Sequence, residues 1–203
     1  MDFWQYEKEA AAEGYAAVCG CDEAGAGPLA GPVYAAAVIL PLGEDIPGLD
    51  DSKKLTEKRR EALFPVIQER ALAWSAAFVS AEEIDKTDIL SARMRAMQLA
   101  IGGLNLKPDF ALIDGNRDHG RSAAITTSHR CIIKGDSLSA SVAAASVLAK
   151  VSRDRFMVEM AAKYPEYRFD RHKGYGTKLH YALLREYGPC PIHRRTFLKG
   201  MVP

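Results

Sequence analysis

YAAVCGCD (15–22), EAGAGPLAGP (23–32) and VYAAAVIL (33–40) follow one another without a break, and this stretch decides the fold. The run from Tyr15 to Asp22 reads as a strand, ended by the turn Glu23 to Pro28. The run from Val33 to Leu40 reads as a second apolar strand, bounded by Pro32 and Pro41. Residues 25–30, GAGPLA, match the dinucleotide pattern G-x-G-x-x-(G/A). That pattern needs a helix directly after the glycines, so that its N-terminus faces a pyrophosphate. Here Gly31-Pro32 and a β-like run follow instead. The segment is therefore a loop between two strands. Its glycines allow close backbone approach to a ligand such as a sugar hydroxyl or a phosphate, and a tight loop with no ligand is the plainer alternative.

Outward from this stretch the chain reads as mixed strand and helix. Residues 1–13 form a short amphipathic helix. Leu49 to Lys54 is polar loop, and Thr56 to Glu69 is helical with Thr56 as its N-cap. Leu72 to Val79 is a third strand, Ala81 to Asp85 a helical turn, and Asp88 to Leu104 a helix with Ile89, Ala92, Ala96, Leu99 and Ala100 at helical spacing. Phe110 to Ile113 is a short buried strand running into Asp114-Gly115-Asn116, and Ile125 to Ile133 a last strand. An alanine-rich helix spans Ser137 to Lys163, followed by a basic loop, Arg168 to Thr177, and a helix, Lys178 to Tyr187. These elements do not alternate strictly as strand and helix. The expected fold is α/β, a mixed sheet flanked by helices rather than a doubly wound one. Residues 1–163 would form the main domain and 164–203 a basic C-terminal helical lobe.

At 203 residues, with 48% hydrophobic and 26% charged, the chain is long enough for one sizeable core and too mixed for disorder. The longest apolar run, Val33 to Leu42, is too short to span a bilayer, and the acidic N-terminus lacks a signal-peptide pattern. A cytoplasmic monomer is expected. The four cysteines form no C-x-x-C pair, so Cys19-x-Cys21 is read as two small buried apolar residues rather than half a zinc site. The net charge of +1 is unevenly spread. Residues 1–100 carry ten Lys and Arg against 17 Asp and Glu, while residues 101–203 carry 17 against nine. The basic half suits an anionic partner, although a solvated face would look the same.

Acidic residues stand where strands end. Asp22 and Glu23 close the first, Asp114 closes the fourth, and Asp136 opens the long helix. Neighbours on a regular strand point to opposite faces, so Asp22 and Glu23 share one site only if the strand ends or twists there. Taken singly, Asp136 could be a helix cap and Asp114 a turn residue. Taken together, three or four gathered carboxylates repel one another unless cations neutralise them. Hard oxygen ligands suit Mg²⁺ or Mn²⁺ rather than zinc. Two such ions would make a two-metal phosphodiesterase site.

Seven segments then carry a resemblance. GCDEAGAGPLAGPV (20–33), DSKKL (51–55), LIDGN (112–116), KGD (134–136), AAASVLAKV (143–151), HKGYGT (172–177) and IHRRTF (192–197) resemble bacterial ribonuclease HII, in the family's order, across residues 15–197. The resemblance implies a ribonuclease H-like fold with a mixed five-stranded sheet and a C-terminal helical lobe. It implies cleavage of RNA in RNA–DNA hybrids and incision 5′ of ribonucleotides embedded in duplex DNA, leaving 3′-hydroxyl and 5′-phosphate ends. It makes Asp22, Glu23, Asp114 and Asp136 the catalytic, metal-binding carboxylates. It places Tyr175 beside a deoxyribose and the backbone of Gly25, Ala26 and Gly27 at the ribose 2′-hydroxyl, the group that separates RNA from DNA. Lys53, Lys150, His172 and Lys173 would lie near phosphates, adding affinity without sequence preference.

Ala26 departs from the family, which usually has arginine between the two glycines. Backbone contacts survive that change and a charge-assisted one does not, so weaker binding or a relaxed junction requirement is expected. Ribonuclease HIII also lacks that arginine but carries a long N-terminal domain, whereas PLAGP (28–32) follows the HII pattern. No clamp-binding tail is visible. Two other readings compete: a non-catalytic binder of RNA–DNA junctions, and a dinucleotide-dependent oxidoreductase. Water activation is assigned to metal, with His172 the one histidine near enough to test as a base.

Overall fold

The computed structural model describes residues 2–115 and 125–200; Asn116 lies outside them. Its centre is a five-stranded mixed sheet of order β3-β2-β1-β4-β5. Strands β1 (Val18–Ala24), β2 (Val33–Ile39) and β3 (Ala73–Val79) are antiparallel neighbours, and β4 (Phe110–Asp114) and β5 (His129–Ile132) continue parallel to β1. The helices are α1 (Gln5–Ala12), α2 (Glu57–Arg70), α3 (Ala81–Lys86), α4 (Ile89–Gly102), α5 (Ala140–Lys163), α6 (Phe169–His172) and α7 (Lys178–Tyr187). Thr56 caps α2 through the Arg59 amide. Among the described residues, no helix is long and apolar enough to cross a membrane.

The alternation of β1 and β2 sorts their side chains into two cores. Cys19, Cys21, Val33, Ala35, Ala37 and Ile39 pack with Ala92, Ala96 and Met97 of α4. Ala24, Ala36 and Val38 pack with Leu63 and Ile67 of α2 and Ala144 to Leu148 of α5. The small residues of α5 let it lie against the sheet backbone. A Cβ on Gly20 of β1 would collide with the main chain of Ser141 and Val142. Burial pushes the Cys19 thiol up to about 12 and raises the Cys21 thiol well above its ordinary value, and all four cysteines are free.

Several boundaries differ from those expected; α1 starts at Gln5 and α5 at Ala140 rather than Ser137. The first strand begins at Val18, because Asp109 takes the amides of Ala16 and Ala17 (2.8 and 3.0 Å). It continues through Glu23 to Ala24, which pairs with Tyr34. The last strand is shorter because Thr126 bonds Gln98 of α4 instead (N–H to Oε1, 2.9 Å). The basic loop contains α6, framed by left-handed residues Arg168 and Lys173. On α1, Glu7 is buried: Ser139 Oγ (2.6 Å), the Ser141 amide (3.0 Å) and Ser141 Oγ all donate to it at the start of α5. A carboxylate there complements the positive end of the helix.

The C-terminal residues pack on α5 and on the glycine loop. Leu29, Ala30 and Met157 join Tyr167, Phe169, Leu184 and Leu198 in one apolar cluster. Within it, His180 Nε2 and His193 Nε2 are 3.0 Å apart, and burial lowers both from 6.5 to about 4. A histidine held neutral contributes stability that is present above its unfolded pKa and lost as pH falls toward its folded one. The wild type's stability margin over His193→Gln is therefore expected to shrink between pH 6.5 and about 4. Urea midpoints at several pH values check this, and a margin constant over that window refutes it.

Candidate active site

Parallel pairing of β1 with β4 sets the first two acidic residues side by side. Cys21 is in register with Ile113, so the next residues, Asp22 and Asp114, stand together at the carboxyl ends of adjacent strands. After β5, Lys134 takes a left-handed conformation (φ 58°) and a 3₁₀ turn, Gly135–Ser137, lifts Asp136 to the same place. The Gly135 amide donates to Asp114 Oδ1 (2.7 Å) and ties that turn to β4. Carboxylate oxygens of Asp22, Asp114 and Asp136 lie within 4.8 Å of one another.

Electrostatically this is a costly arrangement. Burial, then the charges of Glu23 and Asp114, push Asp22 well above the usual carboxylate range. Burial, then Asp136 and Glu23, raise Asp114. Among the described residues one cation bonds to them: Lys53 Nζ reaches Asp136 Oδ2 at 2.8 Å from a side chain that is 73% exposed. Partial burial works against its charge, but the Asp136 hydrogen bond and the charges of Asp22 and Asp136 outweigh it and raise its pKa. A single exposed lysine does not balance three carboxylates. An all-oxygen anionic donor set with a remaining charge deficit fits a hard divalent cation.

Glu23 is not brought into this group. Because β1 runs straight through it, its side chain emerges on the α4 face, where Oε1 meets Arg93 at 2.6 Å. Among the described residues, Glu23 Oε2 and Arg93 Nε are buried there without a hydrogen-bond partner. The glycine segment leaves the end of β1 beside Asp22. Gly25 is buried with φ 94°, Ala26 is half-buried, and Gly27 is exposed with open space where a Cβ would stand. The Leu29 amide bonds the Gly174 carbonyl (2.9 Å), joining this loop to the one that carries Tyr175. Tyr175 is 41% exposed, with Lys150 Nζ and Arg153 Cζ at 5.7 and 5.6 Å from its ring centre.

Two residues expected near phosphates have their polar atoms engaged within the chain. His172 is buried, its Nε2 bonded to the Tyr167 carbonyl (2.8 Å) and its Nδ1 accepting from the Gly174 amide (3.2 Å). Both ring nitrogens are thus engaged inside the protein rather than turned toward the carboxylates. Lys173 is turned inward, its Nζ on the Asp170 carbonyl at 2.6 Å with a side chain only 15% exposed. Lys150 stays at the surface edge, paired with Asp154 at 2.7 Å. Sequence reasoning missed Arg93, Arg153 and Arg194, since nothing local to an arginine in a basic stretch marks it as interior.

The mixed sheet with this strand order, helices on both faces and a helical C-terminal region has the ribonuclease H-like architecture. The family profile for ribonuclease HII matches residues 19–199. Ribonuclease HII of Caldicellulosiruptor bescii is 49% identical over 99% of this chain and 96% of its own. That of Bordetella avium is 54% identical over 89% and 87%. The crystal structure of ribonuclease H2 from Pyrococcus horikoshii superposes with a TM-score of 0.74 at 27% identity, covering 89% of this chain and 93% of that one. The chain belongs to the ribonuclease HII family, and with it to the ribonuclease H class of phosphodiester-hydrolysing enzymes.

Proposed function

We propose that this protein cleaves the RNA strand of RNA–DNA hybrids and incises 5′ of ribonucleotides embedded in duplex DNA. Asp22, Asp114 and Asp136 would hold Mg²⁺ or Mn²⁺, two ions in number. Such ions supply Lewis acidity, activating water and neutralising charge on the leaving oxygen. Attack of water oxygen on the phosphorus breaks the P–O3′ bond. The 3′ oxygen takes up a proton, and the phosphate stays on the 5′ side of the ribonucleotide. The ribose 2′-hydroxyl lies beyond the broken bond, so it is read rather than consumed. The glycine-loop backbone would read it, Tyr175 would stack on the neighbouring sugar, and Lys53 and Lys150 would steady phosphates. Glu23, held by Arg93, would join the metal site only by exchanging that partner.

The observation that carries this reading is the convergence of Asp22, Asp114 and Asp136 within 4.8 Å, one strand end away from the glycine loop. The test uses two labelled duplexes, one with a single ribonucleotide and one RNA–DNA hybrid, each with Mg²⁺ and with Mn²⁺. Cutting of both is expected, and Ala26→Arg should lower KM several-fold. Cutting of the hybrid alone would restrict the proposal to hybrid cleavage. Binding without cutting under either ion would favour the junction-binding alternative.

A further inference from the structure

Arg153 and Arg194 are both fully buried, yet no carboxylate pairs with either among the described residues. Every bond recorded from their guanidinium groups goes to a main-chain carbonyl. Arg194 donates from Nε to Gly31 (2.9 Å), from Nη1 to Ala26 (2.8 Å) and from Nη2 to Gly25 (2.6 Å). Arg153 donates from Nε to Pro32 (3.1 Å), from Nη2 to Ala30 (3.1 Å) and from Nη1 to Lys173 (3.1 Å). The glycine loop therefore lies over two interior cations. Burying a cation without a counter-charge is expensive, and burial does pull both guanidinium groups down from their ordinary value. A packing role would be served by apolar side chains at far lower cost.

The peptide plane gives the cost a purpose. In a trans peptide the carbonyl of one residue and the N–H of the next point in opposite directions. With the Gly25 and Ala26 carbonyls drawn inward onto Arg194, the amides of Ala26 and Gly27 are driven outward. Among the described residues those two amides, and that of Gly25, have no acceptor within the chain. Arg153 adds a second constraint. By bonding Ala30 and Lys173 together, it fixes the loop against the turn that presents Tyr175.

Resting on the proposed function, we propose that Arg194 is a positioning residue for ribose recognition, its guanidinium turning two consecutive peptides so that the Ala26 and Gly27 amides form a preformed donor pair for the 2′-hydroxyl. It touches no substrate itself. A guanidinium can hold three carbonyls in one plane, which an ammonium cannot, so Arg194→Lys keeps the charge and loses the orientation.

The test is equilibrium binding in Ca²⁺ buffer to a duplex with one ribonucleotide and to the same duplex in all-DNA form. For Arg194→Lys we expect the ribonucleotide preference to fall about tenfold, near 1.4 kcal/mol, with all-DNA affinity unchanged. An unchanged preference, or an equal loss on both duplexes, overturns the role. A wild type without any ribonucleotide preference overturns the functional reading beneath it, which separates the two failures. Because the variant could fail to fold, the wild type supplies a second measurement. The Ala26 and Gly27 amide resonances should shift with the ribonucleotide duplex and stay in place with the all-DNA one. Equal shifts with both overturn the proposal.

Discussion

Asp114→Asn is expected to lower the cleavage rate by about 1,000-fold or more while leaving the fold intact. A loss of that size corresponds to several kcal/mol of metal-borne transition-state stabilisation. Asparagine keeps an oxygen for the Gly135 amide, so the turn that lifts Asp136 retains its anchor. What disappears is one of three charges within 4.8 Å. The same substitution carries a second signature. Asp114 has its folded pKa raised above 3.8, by burial and by Asp136 and Glu23. A carboxyl shifted that way favours folding below its unfolded pKa and disfavours it as pH rises through the folded value. In metal-free buffer at neutral pH the variant should thus melt at a higher temperature than wild type, and the gap should close toward pH 3.8. Divalent ion should raise the wild-type melting temperature and leave the variant's nearly unmoved. Retention of more than a tenth of the activity, or equal metal response, would refute the assignment.

Gly20→Ala is expected to produce the largest loss of stability from a single methyl group. The added Cβ would stand against the main chain of Ser141 and Val142, not against a side chain that could rotate away. Either α5 lifts from β1 or the variant does not fold. Overpacking typically costs 1–3 kcal/mol, and contact with backbone places this case at about 3 kcal/mol or beyond. For a chain of this size that is about 6–12 °C in melting temperature. Gly27→Ala is the control, because a Cβ there meets nothing within 4 Å. Melting of the two variants side by side decides the point, and equal effects would refute it.

Much of the fold was legible because the relevant signals are local. The strand–loop–strand around Gly25, the Thr56 cap and the apolar spacing along α4 each depend on near neighbours. The meeting of Asp22, Asp114 and Asp136 was legible too, since each stands at an element's end; β1–β4 register joins the first two and the turn after β5 brings the third. The position of Glu23 was not, because it turns on whether β1 stops one residue earlier or later. Burial of His172, Arg153 and Arg194 was hidden for another reason. Their partners are carbonyls of residues 20 to 169 positions away, or a fold-back within a turn, and a carbonyl leaves no trace in side-chain composition.

α5 has one last consequence. It starts just past the turn bearing Asp136, carries Arg153 in its middle, and ends where the C-terminal residues begin. At 1.5 Å per residue its 24 residues form a strut of about 36 Å, with no proline inside it. The turn bearing Asp136 adjoins one end of this beam, and Arg153 in its middle holds the carbonyls of Ala30 and Pro32, so the third carboxylate and the glycine loop are referred to one rigid element. On the function proposed above, that stiffness would fix the distance between the sugar being read and the phosphate being cut, as a gauge fixes a gap.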